Sequence, residues 1–183
     1  MKTWTKEFKE ACRENDVKKV KLLIKEGIDP SSKNNKPIVI ASTDGHSEIV
    51  KLLLQDKRVD PSDRFNDAIT KASENGHPKV VKLLLKDKRV DPSVMHNYPI
   101  WLASSCGHSE VVKLLLEDER VDPSGGGNYI IKTASRCGHL EVVKLLLQDK
   151  RVWKKLINSD KKDLDKNLCD LIKLEKMQRL LNN

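Results

Sequence analysis

Four histidines, His46, His77, His108 and His139, stand 31 residues apart. Two of them follow a cysteine, as Cys106-Gly107-His108 and Cys137-Gly138-His139. On residue type alone, thiol and imidazole are the donors of a zinc site. Spacing argues otherwise. Ligands of one ion sit about 2 Å from it, whereas equivalent positions in stacked repeats lie roughly 10 Å apart, so the ladder cannot converge on one ion. One thiol and one imidazole do not close a tetrahedral site, and no second pair with ligand spacing lies nearby. Asp60, Asp91 and Asp122 each precede a proline, a place where aspartate makes turn hydrogen bonds and not one half of a catalytic carboxylate pair. The chain has no nucleophile elbow, phosphate loop or metalloprotease motif. No catalytic residue, metal or cofactor is expected.

What must position these residues is a repeated unit. The stretch from Gly45 to Ser62 returns as Gly76 to Ser93, as Gly107 to Ser124 and, over most of its length, as Gly138 to Val152. Self-similarity at a fixed period of this size marks a stacked-repeat architecture. In each unit Ile38, Ile69, Ile100 or Ile131 stands three residues before Ala41, Ala72, Ala103 or Ala134, on one face of a short first helix. Gly45, Gly76, Gly107 and Gly138 end that helix by taking positive φ. A second helix follows, whose Ile49-Val50 and Leu52-Leu53-Leu54, and their counterparts, make one wide apolar face. Asp-Pro-Ser then breaks it, because proline disfavours helix in the residue before it. Asn35, Asn66, Asn97 and Asn128 precede the next first helix and are expected to N-cap it, with Pro37 and Pro99 in the first turn. Leu22 to Asp29 is one residue shorter than Leu52 to Asp60, which predicts an extra residue at the end of the later second helices.

Apolar residues make up 38% of the 183 and charged residues 34%. The apolar share is low but periodic, as in a folded chain. Lys6, Glu7, Lys9 and Glu10 stand where a secretory signal needs an apolar core, and no apolar run approaches membrane-spanning length. A monomer inside the cell, in the cytoplasm, is therefore expected, with no membrane contact. Cys12, Cys106, Cys137 and Cys169 fall in different units, too far apart for bridging, and read as free thiols of a reducing compartment. The formal charge of +8 owes much to Lys51, Lys82, Lys113 and Lys144 and to Arg58, Arg89, Arg120 and Arg151, each set at one repeat position. Solvent-facing cations near helix C-termini suit the helix dipole. Aromatic interleaving and the zinc, helix-turn-helix and RNA-binding signatures are absent, so nucleic acid or another anionic surface is the alternative partner, behind protein.

Gly-His followed by Glu-Val-Val-Lys-Leu-Leu-Leu, after a short helix such as Pro37-Ile38-Val39-Ile40-Ala41-Ser42 or Pro99-Ile100-Trp101-Leu102-Ala103-Ser104, resembles the ankyrin repeat. The resemblance runs from about Phe8 to Val152, although the family's Thr and His of the first helix are absent. The Arg-Val-Asp-Pro-Ser ending and lysine-rich second helix look most like ankyrin proteins of giant DNA viruses of amoebae, which implies a viral factor that occupies a host protein. The family unit is about 33 residues, so a 31-residue unit implies short fingers and shifts partner binding toward the inner-helix groove. The resemblance further implies a scaffold role for Gly45-His46, Gly76-His77, Gly107-His108 and Gly138-His139, whose histidine bonds backbone in the turn. The fold expected is an all-α ankyrin-type solenoid in one domain, 1–183. It divides into an N-terminal capping repeat at 1–34, full repeats at 35–65, 66–96, 97–127 and 128–152, and a helical C-terminal cap at 153–183.

That last segment replaces Asp-Pro-Ser by Trp153-Lys154-Lys155 and carries Leu164, Leu168, Leu171, Ile172, Leu174, Met177 and Leu180 at helical spacing. It reads as a cover for the last leucine face with Trp153 as a plug; a recruitment motif is the alternative. Positions that differ between units are free to read a partner. At the fingers these are Arg64, Phe65, Met95 and His96, with Asn34 and the glycines at 125–127. On the first helices they are Lys71, Tyr98, Trp101, Leu102, Tyr129 and Lys132. Before the glycines come Thr43-Asp44, Glu74-Asn75, Ser105-Cys106 and Arg136-Cys137. Large aromatics carry disproportionate interface energy, so a protein-binding patch is expected on Phe65, Met95, Tyr98 and Trp101, flanked by Lys71 and Arg136. The competing role for Tyr98 and Trp101 is to fill a groove between repeats.

Overall fold

The structure is a computed structural model and describes residues 4–158 and 164–181. Parts of the expected end units, at 1–3, 159–163 and 182–183, lie outside the described residues. Twelve helices and no strand occur among the described residues. They come in pairs: α1 (Lys6–Arg13) with α2 (Val17–Lys25), α3 (Ser32–Thr43) with α4 (Ser47–Leu54), and α5 (Asp63–Glu74) with α6 (Pro78–Leu85). Then follow α7 (Val94–Ser105) with α8 (Ser109–Leu116) and α9 (Gly125–Arg136) with α10 (Leu140–Gln148), and finally α11 (Lys150–Ile157) and α12 (Lys166–Leu181). First helices pack in one row, α1 to α3 to α5 to α7 to α9, and second helices in another, α2 to α4 to α6 to α8 to α10. This is an all-α solenoid.

The apolar spacing explains the two rows. Ile38, Ile69, Ile100 and Ile131 are fully buried, as are Ala41, Ala72, Ala103 and Ala134. So are Ile49, Val80, Val112 and Val143 on the second helices and Leu53, Leu84, Leu115 and Leu146 one turn on. A single pair would leave much of this surface wet, so stability comes from stacking. Each fully buried leucine is worth about 1.5–3 kcal/mol over exposure.

The extra residue of the later units does not lengthen the second helix, contrary to its sequence reading. The α2 helix has nine residues and ends on Gly27, at φ +96°, with Ile28 N–H bonded to Leu23 O. The α4, α6 and α8 helices have eight, and the added residue sits in the turn that follows, Asp-Lys-Arg after α4 and α6 and Asp-Glu-Arg after α8. There Arg58 grips Asp56 with a fork, Nε to Oδ1 at 2.9 Å and Nη2 to Oδ2 at 2.6 Å, and Arg89 and Arg120 repeat it on Asp87 and Asp118. Val59, Val90 and Val121 then tuck in fully buried, in the place of Ile28.

The asparagines do not N-cap the first helices. Lys33-Asn34-Asn35, Arg64-Phe65-Asn66 and Met95-His96-Asn97 all lie in the left-handed region, φ +50° to +68°, and Gly126-Gly127-Asn128 follow suit. Each finger is thus a single left-handed turn, closed by an N–H bond from the asparagine to the serine four residues back, such as Asn66 N to Ser62 O at 2.9 Å. From this turn the asparagine side chain bonds the following finger: Oδ1 of Asn35, Asn66 and Asn97 accepts from the N–H of Asp60, Asp91 and Asp122 at 2.8–2.9 Å. Asp60 in turn accepts from the N–H and hydroxyl of Ser62 across Pro61. Short fingers are confirmed; their fixing residue has a different job.

At the far end Trp153 stands where an aspartate would, and without proline the turn runs on as α11, N-capped by Asp149. Asn128 Oδ1 is consequently buried without a partner. The α12 helix packs on α9 and α10 through fully buried Leu168. Asp165 caps it at Leu168 N–H and accepts from the Ser135 hydroxyl at 3.0 Å. Arg179 lies 4.2 Å over the Trp153 ring and donates to Leu147 O at 2.8 Å. Leu174, Met177, Leu180 and Leu181 remain 49–84% exposed, so α12 covers the leucine face with only part of its apolar surface.

Candidate functional site

Each ring of the histidine ladder is committed to a neighbour. Nε2 of His46, His77, His108 and His139 lies 2.8–2.9 Å from the backbone oxygen of Arg13, Thr43, Glu74 and Ser105, one unit upstream. A carbonyl only accepts, so Nε2 carries the proton and donates. The ring also lies against the upstream glycine: a Cβ on Gly45, Gly76 or Gly107 would fall 2.5–2.6 Å from the next histidine's Nδ1. Gly138 has the same positive φ and open space beside it, since no fifth histidine follows. Among the described residues no three His, Cys, Asp or Glu side chains gather as a metal-ligand group. All four cysteines are free thiols, and burial pushes the Cys12 thiol up to about 12.

The repeated arginines are staples as well. Arg89, Arg120 and Arg151 each donate Nη1 to the oxygen of Val59, Val90 or Val121 at 2.7 Å, one unit upstream. They therefore do more than complement a helix dipole, although their side chains stay partly exposed. Lys51, Lys82, Lys113 and Lys144 do face solvent.

What differs between units gathers along the first-helix row. Tyr98, Trp101 and Tyr129 form a ring stack across α7 and α9, with centroids 5.2 and 6.0 Å apart and planes tilted by 21° and 17°. With Met95, His96, Gly126 and Ile130 they line a cleft of about 720 Å³. The stack fills space between the α7 and α9 units and also walls an open cleft. A smaller hollow of about 180 Å³ adjoins it, lined by Arg64, Phe65, Lys71, Met95, Tyr98 and Leu102. Phe65 is 78% exposed and Met95 62%, both on left-handed backbone that favours glycine or asparagine. Leu102, read as a surface position, is 91% buried and reaches the hollow only at its edge. Arg136 is exposed at the end of α9 and lines neither space.

Two further hollows continue the groove toward the chain's start. One, of about 440 Å³, sets Arg13, Lys36 and Lys71 against Asp44, Asp67 and Glu74. Here Lys71 Nζ bonds Glu74 at 2.7 Å, and that hydrogen bond raises its pKa. The next, of about 330 Å³, is lined by Trp4, Lys9, Arg13, Lys33, Lys36, Ile40 and Arg64. Sequence reading missed this end, because its cations come from three different helices, α1, α3 and α5, and none stands out against a lysine-rich background.

A row of helix pairs, stitched through backbone carbonyls and carrying its variable residues along one groove, is a repeat scaffold built for presenting surface. The family model for ankyrin repeats, three copies, matches residues 8–96 and 71–158. The chain belongs to the ankyrin repeat family. Proteins of this family are in general non-catalytic protein-interaction scaffolds. A search of curated proteins finds no match to the chain. No helix among the described residues is long and apolar enough to cross a membrane.

Proposed function

We propose that this chain is a non-catalytic interaction module, working inside the cell, that holds a segment of a protein partner in the groove along its first helices. The observation that carries this reading is the Tyr98–Trp101–Tyr129 stack walling an open cleft beside exposed Met95 and Phe65. Exposed aromatics and methionine at the centre of a groove have the composition of binding hot spots. Bulky side chains on left-handed backbone point the same way, because strain of this kind persists at functional sites. The resemblance of the repeat ending to viral ankyrin proteins supports a host-cell protein as that partner. The units at 1–34 and 153–183 act as end caps of one domain, with the aromatic cleft in the units between.

The test is capture of partners from lysate by the full chain and by Met95→Ala/Tyr129→Ala, whose side chains are exposed enough to be removed without harming the stack of helices. Capture should fall by about tenfold or more at unchanged melting temperature, as loss of two hot-spot contacts implies. Undiminished capture by the folded variant would sink the groove reading.

A further inference from the structure

The hollow at the start of the groove has a charge composition found nowhere else along it. Lys9, Arg13, Lys33, Lys36 and Arg64 line it together with Trp4, and no carboxylate does. Arg64 reaches Asp67 at 3.7 Å; among the described residues the other four make no ion pair. Five cations around one concavity repel one another, which a folded chain tolerates where an anion relieves them. We infer that this basic hollow receives the carboxylate side chains of an acidic peptide segment, the same segment whose apolar part lies in the aromatic cleft.

Continuity along the groove supports a single extended occupant. The basic hollow shares Arg13, Lys36 and Ile40 with the mixed one, which shares Asp67, Lys71 and Glu74 with the next, which shares Met95 and Tyr98 with the aromatic cleft. Three repeat spacings of roughly 10 Å make about 30 Å, the reach of about nine extended residues. The charges select peptide over nucleic acid. A phosphate backbone carries its charge uniformly, and one hollow beyond the cations it would meet Asp44, Asp67 and Glu74. A peptide concentrates its carboxylates at one end and escapes that repulsion. Arginine forks at Arg13 and Arg64 match carboxylate geometry.

This rests on the groove reading above, and the experiment keeps the two apart. A fluorescein-labelled decapeptide of four glutamates followed by six serines is titrated with the full chain at low and physiological salt, with a ten-base oligothymidylate as competitor. Binding should weaken about tenfold in Lys36→Gln/Arg64→Gln, as for loss of two complementary charges. It should change less than about twofold in Lys51→Gln/Lys82→Gln, which removes equal charge from the second helices. Melting curves of both variants report folding. Equal loss in both, no loss in either, or displacement by the oligonucleotide at lower concentration than by unlabelled peptide overturns the inference. Glutamate binding that ignores Lys36 and Arg64 does so even where partner capture still needs Tyr129. Capture that ignores Tyr129, with glutamate binding still dependent on Lys36, removes the aromatic reading and leaves the basic hollow standing.

Discussion

Glycine and histidine explain each other across the repeat boundary. Gly76 needs positive φ to end α5, and it must also lack a Cβ because the ring of His108 lies against it. Gly138 has only the first requirement. Alanine at left-handed φ costs about 1–2 kcal/mol, and overpacking against a fixed neighbour adds about 1–3 kcal/mol. Gly138→Ala should therefore destabilise by about 1–2 kcal/mol and Gly76→Ala by about 3 kcal/mol or more, as read from urea midpoints. Equal losses would mean that the histidine ring swings aside freely. The same logic accounts for the first unit, where Asn15 at φ +57° ends α1 in place of glycine and His46 bonds Arg13 O beside it.

At the scale of the element, the turn after each second helix, where an arginine forks onto an aspartate two residues back, carries the pH response. The Arg58, Arg89 and Arg120 forks hold the Asp56, Asp87 and Asp118 carboxyls below the ordinary value of 3.8, with burial opposing them. A carboxyl whose folded pKa is depressed contributes stability above its unfolded pKa and loses it as pH falls through the folded one. The melting temperature should thus hold from neutral pH to about 5 and fall below about 4, and Asp87→Asn should start lower and fall less steeply. A variant curve parallel to that of the parent would show that the forks contribute nothing. Much of this level was legible beforehand: the 31-residue period, the glycine that ends each first helix and the paired helices follow from residue spacing, and the short fingers from the resemblance to the longer ankyrin unit. The role of Asn66 was not, because an asparagine before a helix fits an N-cap and a left-handed turn equally well, and only the distant N–H of Asp91 distinguishes them. Arg64-Phe65 gave no sign of left-handed backbone, since neither residue favours it; Gly126-Gly127 in the last unit was the one clue. That Tyr98, Trp101 and Met95 stand together was legible because they are close in sequence; Tyr129 joins them only through the stacking of α9 on α7. The basic hollow was not, because Lys9 and Arg64 meet only once the units are stacked.

For the whole molecule, each unit contacts chiefly its neighbours, so stability is close to a sum over units and their junctions. The recurring stitches all end on backbone. His77 donates to Thr43 O, Arg89 to Val59 O, and Asn66 accepts from Asp91 N–H. A carbonyl or amide is the same in every unit, whatever side chain it bears. Duplicating residues 66–96 in place should therefore yield a folded chain with a higher melting temperature; a lower melting temperature would show that the junctions are individually matched. Because no unit has to recognise which neighbour it follows, the chain can lengthen, shorten or reorder its repeats by simple copying of the coding sequence. Its groove can thus be rewritten one 31-residue word at a time, with the stacking grammar intact.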